Sequence, residues 1–182
     1  MQVPADVERI LIDEKTIERR VTELARQVSQ DYADVDQLIL VGVLKGAFIF
    51  LADLARKLTI PHRVDFIALS SYGQTATSSG VVRLIMDVKV NVEGRHVLIV
   101  EDIVDSGHTL DYLLRNFATR NPASLRSCVL LSKPGRRRVD VPIDYLGFEI
   151  PDVWVVGYGL DYADKHRTLP YIAALKPEVY QS

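Results

Sequence analysis

The run Leu38-Ile39-Leu40-Val41-Gly42-Val43 has no polar side chain, and it constrains the fold more than any other feature. A strand turns successive side chains to opposite faces, so an unbroken apolar run predicts a strand covered on both sides. The segments around it agree. Asp13 reads as the N-cap of a helix whose Ile17, Val21, Leu24, Ala25 and Val28 fall on one face. A second helix is predicted from Ala47 to Leu58, stopped by Pro61. Strands are predicted over Val64–Ser70, Val81–Met86, Val97–Val100 and Leu125–Leu131. A short helix over Leu110–Ala118 and a break at Asn121-Pro122 separate the last two. Alternation of strand, loop and helix predicts an α/β fold with a largely parallel central sheet flanked by helices. Ligands bind such sheets beyond the carboxyl ends of the strands.

From Val139 the strand-like pieces are shorter, around Tyr145–Phe148 and Trp154–Val156, and no long helical pattern returns. With no linker or internal repeat, the expectation is a single domain over residues 1–182, with a core at about 38–135. A small hood is expected from about 139–182 plus the N-terminal residues. A chain of 182 residues buries roughly two-thirds of its unfolded surface and needs no crosslinks. Its one cysteine, Cys128, lies in an apolar run, which excludes an intrachain disulfide and points to the core and a reducing, cytoplasmic setting. The N-terminal residues lack the basic and apolar regions of a signal peptide. The most apolar stretch, Leu38–Ala55, is interrupted by Lys45 and Asp53, so no membrane span is expected. Net charge is −2, from 22 basic and 24 acidic residues. No nucleic-acid partner is expected, and recognition of phosphate must be local.

The chemistry concentrates at Val97-Leu98-Ile99-Val100-Glu101-Asp102-Ile103-Val104-Asp105-Ser106-Gly107-His108-Thr109. An apolar strand is read as emptying into three carboxylates and then a Ser-Gly-His-Thr turn that opens a helix. Two carboxylates ~4 Å apart repel by about 4 kcal/mol at an effective dielectric near 20. A divalent cation, donating sugar hydroxyls or a nearby Lys or Arg could offset that cost. Asp105 to Thr109 adds backbone N–H groups around a glycine, two hydroxyls and a helix N-terminus, which together suit an anion. A phosphorylated ribose satisfies both halves, its phosphate in the turn and its diol against the acids.

Glu101 to Thr109 resembles the phosphoribosyl-pyrophosphate signature of type I phosphoribosyltransferases. The motifs around it are similar to those of the hypoxanthine-guanine subgroup, with coverage from about Leu38 to Tyr171. The resemblance implies the type I phosphoribosyltransferase fold and a purine-salvage transferase. Such an enzyme moves the phosphoribosyl group to hypoxanthine and guanine, forms IMP or GMP with pyrophosphate, and uses Mg2+ as cofactor. It implies that Glu101 and Asp102 meet the ribose hydroxyls directly or through the metal. Asp105, Ser106, Gly107, His108 and Thr109 would hold the 5′-phosphate, with Asp105 also the general acid/base at purine N7, its role tuned by neighbouring carboxylates. Leu44-Lys45-Gly46 matches the pyrophosphate loop, which carries a non-proline cis peptide in the family, and Arg167 would reach the same pyrophosphate. Ser71 and Tyr72 match the lid, which excludes water from the reacting centre.

Ser132-Lys133-Pro134 follows the predicted strand Leu125–Leu131, and the resemblance implies that Lys133 donates to the purine O6 and so rejects a 6-amino group. In Ile150-Pro151-Asp152-Val153-Trp154-Val155 the resemblance gives Trp154 the ring that stacks on the base, where Phe or Tyr is more familiar. Val155 would offer its backbone to the base edge. Asp161 would stand near the purine and hold a second magnesium through water. Val153 departs from the Lys or Glu common there. Relatives are homodimers or homotetramers, which the resemblance carries over as an expectation.

The run Arg136-Arg137-Arg138 reads as a solvated face. His62, His96, His108 and His166 have no metal-ligand spacing, and neither a Walker A loop nor a complete GxGxxG is present. Two other readings stay open. One is a phosphoribosyltransferase-like regulatory protein that senses nucleotides, for which the chain shows no basic face. The other is a phospho-receiver domain, whose acidic pocket closes the first strand and not one in mid-chain.

Overall fold

A computed structural model describes residues 3–71 and 82–180. The elements follow in the order β1 (Val7–Ile12), α1 (Glu14–Asp31), β2 (Leu38–Leu44), α2 (Phe48–Lys57), β3 (His62–Ser71) and β4 (Val82–Met86). They continue with β5 (His96–Val104), α3 (His108–Ala118), β6 (Ser124–Ser132), a 3-10 turn (Pro134–Arg136), β7 (Tyr145–Glu149), β8 (Val155–Val156), β9 (Ile172–Leu175) and α4 (Pro177–Tyr180).

Six strands form the main sheet in the order β4-β3-β2-β5-β6-β7. All neighbours run parallel except β3 and β4, so the sheet is mixed, with one antiparallel edge. The apolar run of β2 is buried because both faces are covered. Leu38 and Leu40 join a core with Leu24 and Val28 of α1 and Phe50 and Leu54 of α2. Ile39, Val41 and Val43 point the other way, to Leu110, Leu113 and Phe117 of α3. In β5, Leu98 and Val100 face the first core, and Val97 and Ile99 the second. Asp13 caps α1, its Oδ1 accepting from Thr16 N at 2.8 Å. Cys128 is buried in β6, where burial pushes its thiol well above the usual range. Leu38–Ala55 divides between β2 and α2, and no described helix is long and apolar enough to cross a membrane.

Two expectations are corrected. First, β5 does not end at Val100. It continues to Val104 because Glu101, Ile103 and Val104 keep pairing with Val129, Leu131 and Ser132 of β6. Glu101 and Asp102 therefore lie within the strand. Second, the sheet does not stop near residue 135, since β7 pairs in parallel with β6. Arg20 of α1 fastens β7 from outside, donating to Gly147 O at 3.1 Å and Leu146 O at 2.7 Å. What stands above the main sheet is a three-stranded sheet, β1-β9-β8, over a separate core that includes Val7, Val156, Leu169 and Leu175.

Leu98 is fully buried in the strand that carries the acids. Leu98→Ala should lower unfolding stability by about 2–5 kcal/mol, read as a lower urea midpoint with an unchanged slope. A loss below ~1 kcal/mol would contradict the two-sided burial of β5.

Candidate active site

The carboxyl end of β5 and the loop into α3 enclose a cavity of about 270 Å3, walled by Glu101 to Gly107 with Thr109 and Leu110. His108 opens α3 just behind that wall. The loop turns on Gly107, whose φ of 91° is left-handed and suits glycine. A Cβ there would sit 2.6 Å from Val139 O. Arg138 N and Val139 N hold the loop from behind, donating to Ser106 O at 3.0 and 3.1 Å. No side chain caps α3, so its first N–H groups remain open to an anion.

Glu101 is 4% exposed, and its Oε2 has no hydrogen-bond partner. Burial raises its carboxyl well above the usual range, and the neighbouring Asp102 adds to the shift. Burial likewise pushes Asp102 up to about 6; the Ile103 N–H and the more distant Arg167 only partly oppose it. Neither acid has an ion-pair partner within 4 Å among the described residues.

Two loops pack in succession against Asp102 at the end of β5. A Cβ on Gly46 would overlap the Asp102 carboxylate, and one on Gly159 would overlap Gly46 O. Only glycine permits this approach. The Leu44-Lys45 peptide is cis, as the resemblance implies. Lys45 Nζ lies 3.2 Å from Asp164 Oδ1. Arg167 lies 3.0 Å from the same oxygen and 2.7 Å from Asp161, and donates to Gly159 O at 2.9 Å. Arg167 and Lys45 hold the Asp164 carboxyl below its usual range. Tyr158, Ala163, Asp164 and His166 have φ between 50° and 72°, and such residues persist only where surrounding bonds hold them. Here Gly159 N donates to Arg167 O, and Tyr162 N and Lys165 N exchange bonds with each other's carbonyls. Asp161 Oδ2 accepts from Asp164 N at 2.7 Å, and its Oδ1 forms the ion pair with Arg167. The structure thus joins it to the Lys45 and Arg167 side, and no ion pair links it to Lys133.

Opposite, Lys133 is 6% exposed. Its ammonium lies 3.9 Å from Asp105 Oδ2 and 4.0 Å from Asp152 Oδ1, beyond hydrogen-bond distance. Burial lowers its pKa, and the two carboxylates pull it back. Val155 pairs with Ala174 on β9, and Leu175 N donates to Trp154 O. In that ladder Val155 is a non-hydrogen-bonded position, so its own N–H and C=O point to the free edge of β8. Trp154 is 44% exposed beside it.

The neighbours of Asp105 correct the expectation of crowding by acids: they are cations. Arg136 Nε lies 3.0 Å from Asp105 Oδ1, without hydrogen-bond alignment, and its Nη1 lies 3.2 Å from Asp152 Oδ1. Arg136 stays exposed, as a solvated face requires, while reaching both carboxylates, and Arg137 turns inward to donate to Ser132 Oγ at 2.9 Å. Arg136 and Asp152 were not assigned roles from the sequence. The clue lay in spacing, because the short turn Pro134–Arg136 returns the chain toward Lys133. Ser71 ends β3, and Tyr72 lies outside the described residues.

The raised acids have a consequence for stability. Folded, Asp102 keeps its proton up to about 6, against 3.8 for the free group. Between those values the folded state binds more protons than the unfolded one, so stability falls as pH rises through the window and stays low above it. Glu101 acts in the same direction. Thermal melts of the ligand-free protein should show wild-type Tm declining between about pH 4 and 6 relative to Asp102→Asn. Parallel curves would contradict this.

The profile of the phosphoribosyl transferase domain family matches residues 9–163. The hypoxanthine-guanine phosphoribosyltransferase of Mycobacterium avium is 50% identical over 98% of this chain and 90% of its own length. The hypoxanthine phosphoribosyltransferase of Salmonella typhimurium is 47% identical over 90% of this chain and 92% of its own. A crystal structure of a hypoxanthine-guanine phosphoribosyltransferase from Bacillus anthracis superposes with a TM-score of 0.89 at 44% identity, covering 93% of this chain and 99% of that one. With the sheet order and the β5 loop, these similarities identify the chain as a member of the hypoxanthine-guanine phosphoribosyltransferase family, purine-salvage enzymes of the type I phosphoribosyltransferase fold.

Proposed function

We propose that this chain transfers the phosphoribosyl group of phosphoribosyl pyrophosphate to hypoxanthine and guanine. The products are IMP or GMP and pyrophosphate. The observation that carries the reading is the pairing, in one cavity, of a buried Glu101 and a half-buried Asp102, neither in an ion pair, with an uncapped helix N-terminus.

The loop from Asp105 to Thr109 takes the 5′-phosphate through backbone N–H groups and the hydroxyls of Ser106 and Thr109. Glu101 and Asp102 accept from the ribose diol. Lys45, Gly46 and Arg167 receive the pyrophosphate, its charge replacing that of the exposed Asp164 beside Lys45. The base stacks on Trp154, offers its edge to the free N–H and C=O of Val155, and accepts at O6 from Lys133. An adenine amino group would leave the Lys133 ammonium without an acceptor. Purine N9 bonds to C1′ of the ribose while the C1′–O bond breaks, pyrophosphate leaving with the electron pair. Asp105 takes the proton from N7, and its 3.0 Å contact with Arg136 keeps a positive charge close while the base is absent.

The donor set fits magnesium: Glu101 Oε2 lacks a partner, and hard carboxylate oxygens suit that ion. No three described His, Cys, Asp or Glu side chains converge on a site, so Glu101 and Asp102 would hold the metal together with oxygens of the substrate. When bound, it supplies positive charge toward the departing pyrophosphate. Asp161 enters this proposal through Arg167, because both its oxygens are engaged. Ser71 and Tyr72 remain the proposed lid. Self-association belongs to the proposal too, supported by exposed Ile85 and Met86 on edge strand β4. A cytoplasmic setting suits the buried free thiol of Cys128.

Incubation with radiolabelled hypoxanthine, phosphoribosyl pyrophosphate and Mg2+ should give labelled IMP. Asp105→Asn should lower kcat by about 100-fold or more while donor affinity changes far less. Absence of IMP from the wild-type protein would remove the transferase reading, and near-normal turnover of the variant would remove the acid/base role of Asp105.

A further inference from the structure

The chain contains a single tryptophan, the residue on which the base is read to stack. Trp154 is not alone at the surface. Tyr180, at the end of α4, stacks on the indole with ring centroids 5.6 Å apart and an interplanar angle of 29°. Tyr162 meets the same indole edge-on at 5.4 Å and 86°.

Both tyrosines are fixed from behind. Tyr162 Oη donates to Val179 O at 2.9 Å, gripping the residue next to Tyr180. Val179 N donates to Lys176 O, and Lys176 N to Asp6 O, each at 3.0 Å. Tyr162, Val179 and Tyr180 pack against the core that holds Val156, Leu169 and Tyr171. The C-terminal turn is thus tied to the hood by side-chain packing, a side-chain hydrogen bond and main-chain bonds.

An exposed indole without support would rotate about two side-chain torsions, and a ligand stacking on it would have to order it first. Offset stacking on a fixed ring removes that freedom. Tyr180 then covers one face of the indole, and Trp154 remains 44% exposed beside the free backbone edge of Val155. We propose that Tyr180 is a positioning residue for the purine: it backs Trp154 and sets the indole plane, while Tyr162 holds Tyr180 in register. This rests on the reading of Trp154 as the stacking platform. It makes the C-terminal turn part of base recognition, leaving donor binding and the chemical step to the β5 loop.

The single indole supplies a readout that a merely structural role would not move. In Tyr180→Leu, Trp154 emission in the ligand-free protein should shift to the red. The KM for hypoxanthine should rise about tenfold, with KM for phosphoribosyl pyrophosphate and kcat within about twofold. Tyr180→Phe keeps the ring and should behave as wild type in all three. Unchanged hypoxanthine KM in the Leu variant, an equal rise for both substrates, or a lower hypoxanthine KM would overturn the proposal. The last outcome would mean that Tyr180 occupies the place of the base. Titration of IMP into the wild-type protein separates the two layers. If Trp154 emission does not respond, the platform reading falls and the role of Tyr180 with it. If it responds and Tyr180→Leu matches wild type, only the role of Tyr180 falls.

Discussion

Glu101 and Asp102 are neighbours in a strand that buries the first, half-buries the second, and gives neither an ion-pair partner within 4 Å among the described residues. Much of the surrounding structure is arranged around that fact. Ionised together they repel, and protonated they lose their use as ligands for a polyol or a metal. The chain holds them in place by strand pairing, through Glu101, Ile103 and Val104 against β6. The cost is borne by the two-sided core beneath, where Leu98 and Val100 on one face and Val97 and Ile99 on the other anchor β5 between helices. A site that is unfavourable when empty and satisfied when filled gains in selectivity, because only a ligand bringing both donors and positive charge relieves it.

The other parts of the site are placed relative to that pair by close backbone approach. Gly46 touches Asp102, and Gly159 touches Gly46, so the loop after β2, the end of β5 and the loop after β8 form one packed unit. Lys45 and Arg167 are carried on its outer side, each beside Asp164. On the inner side the turn after β6 brings Lys133 and Arg136 to Asp105 and Asp152. Positive groups thus occupy two separate places, which the proposed function assigns to the leaving anion and to the base and its proton. The hood contributes an aromatic face and an unpaired strand edge, features that suit a flat heterocycle.

The features legible in the sequence were those encoded locally. Apolar runs such as Leu38–Val43 predict two-sided burial, the Asp13 cap and one apolar face predict α1, and contiguous motifs predict the β5 loop, Lys45 and Lys133. What was not legible depended on pairing between distant segments. β1 and β9 escaped notice because six- and four-residue strands carry little periodicity, and their register, Val7 with Leu175 and Ile12 with Ile172, joins the two ends of the chain. The end of β5 was placed four residues early because two acids in succession read as solvent-facing, whereas ladder bonds to β6 carry the strand onward. The ion pairs of Arg136 were not legible because a run of three arginines resembles a solvated surface, which its exposed side chain does join. Its partners are carboxylates 31 positions before it and 16 after it, Asp105 and Asp152.

Calorimetric titration of phosphoribosyl pyrophosphate, with Mg2+ present and then with the metal chelated, tests the central claim most directly. If the buried acids at the end of β5 are satisfied by a metal and a sugar arriving together, affinity should fall by at least about tenfold on chelation. Equal affinity in both conditions would mean that no metal joins the donor at the two carboxylates, and would contradict the account.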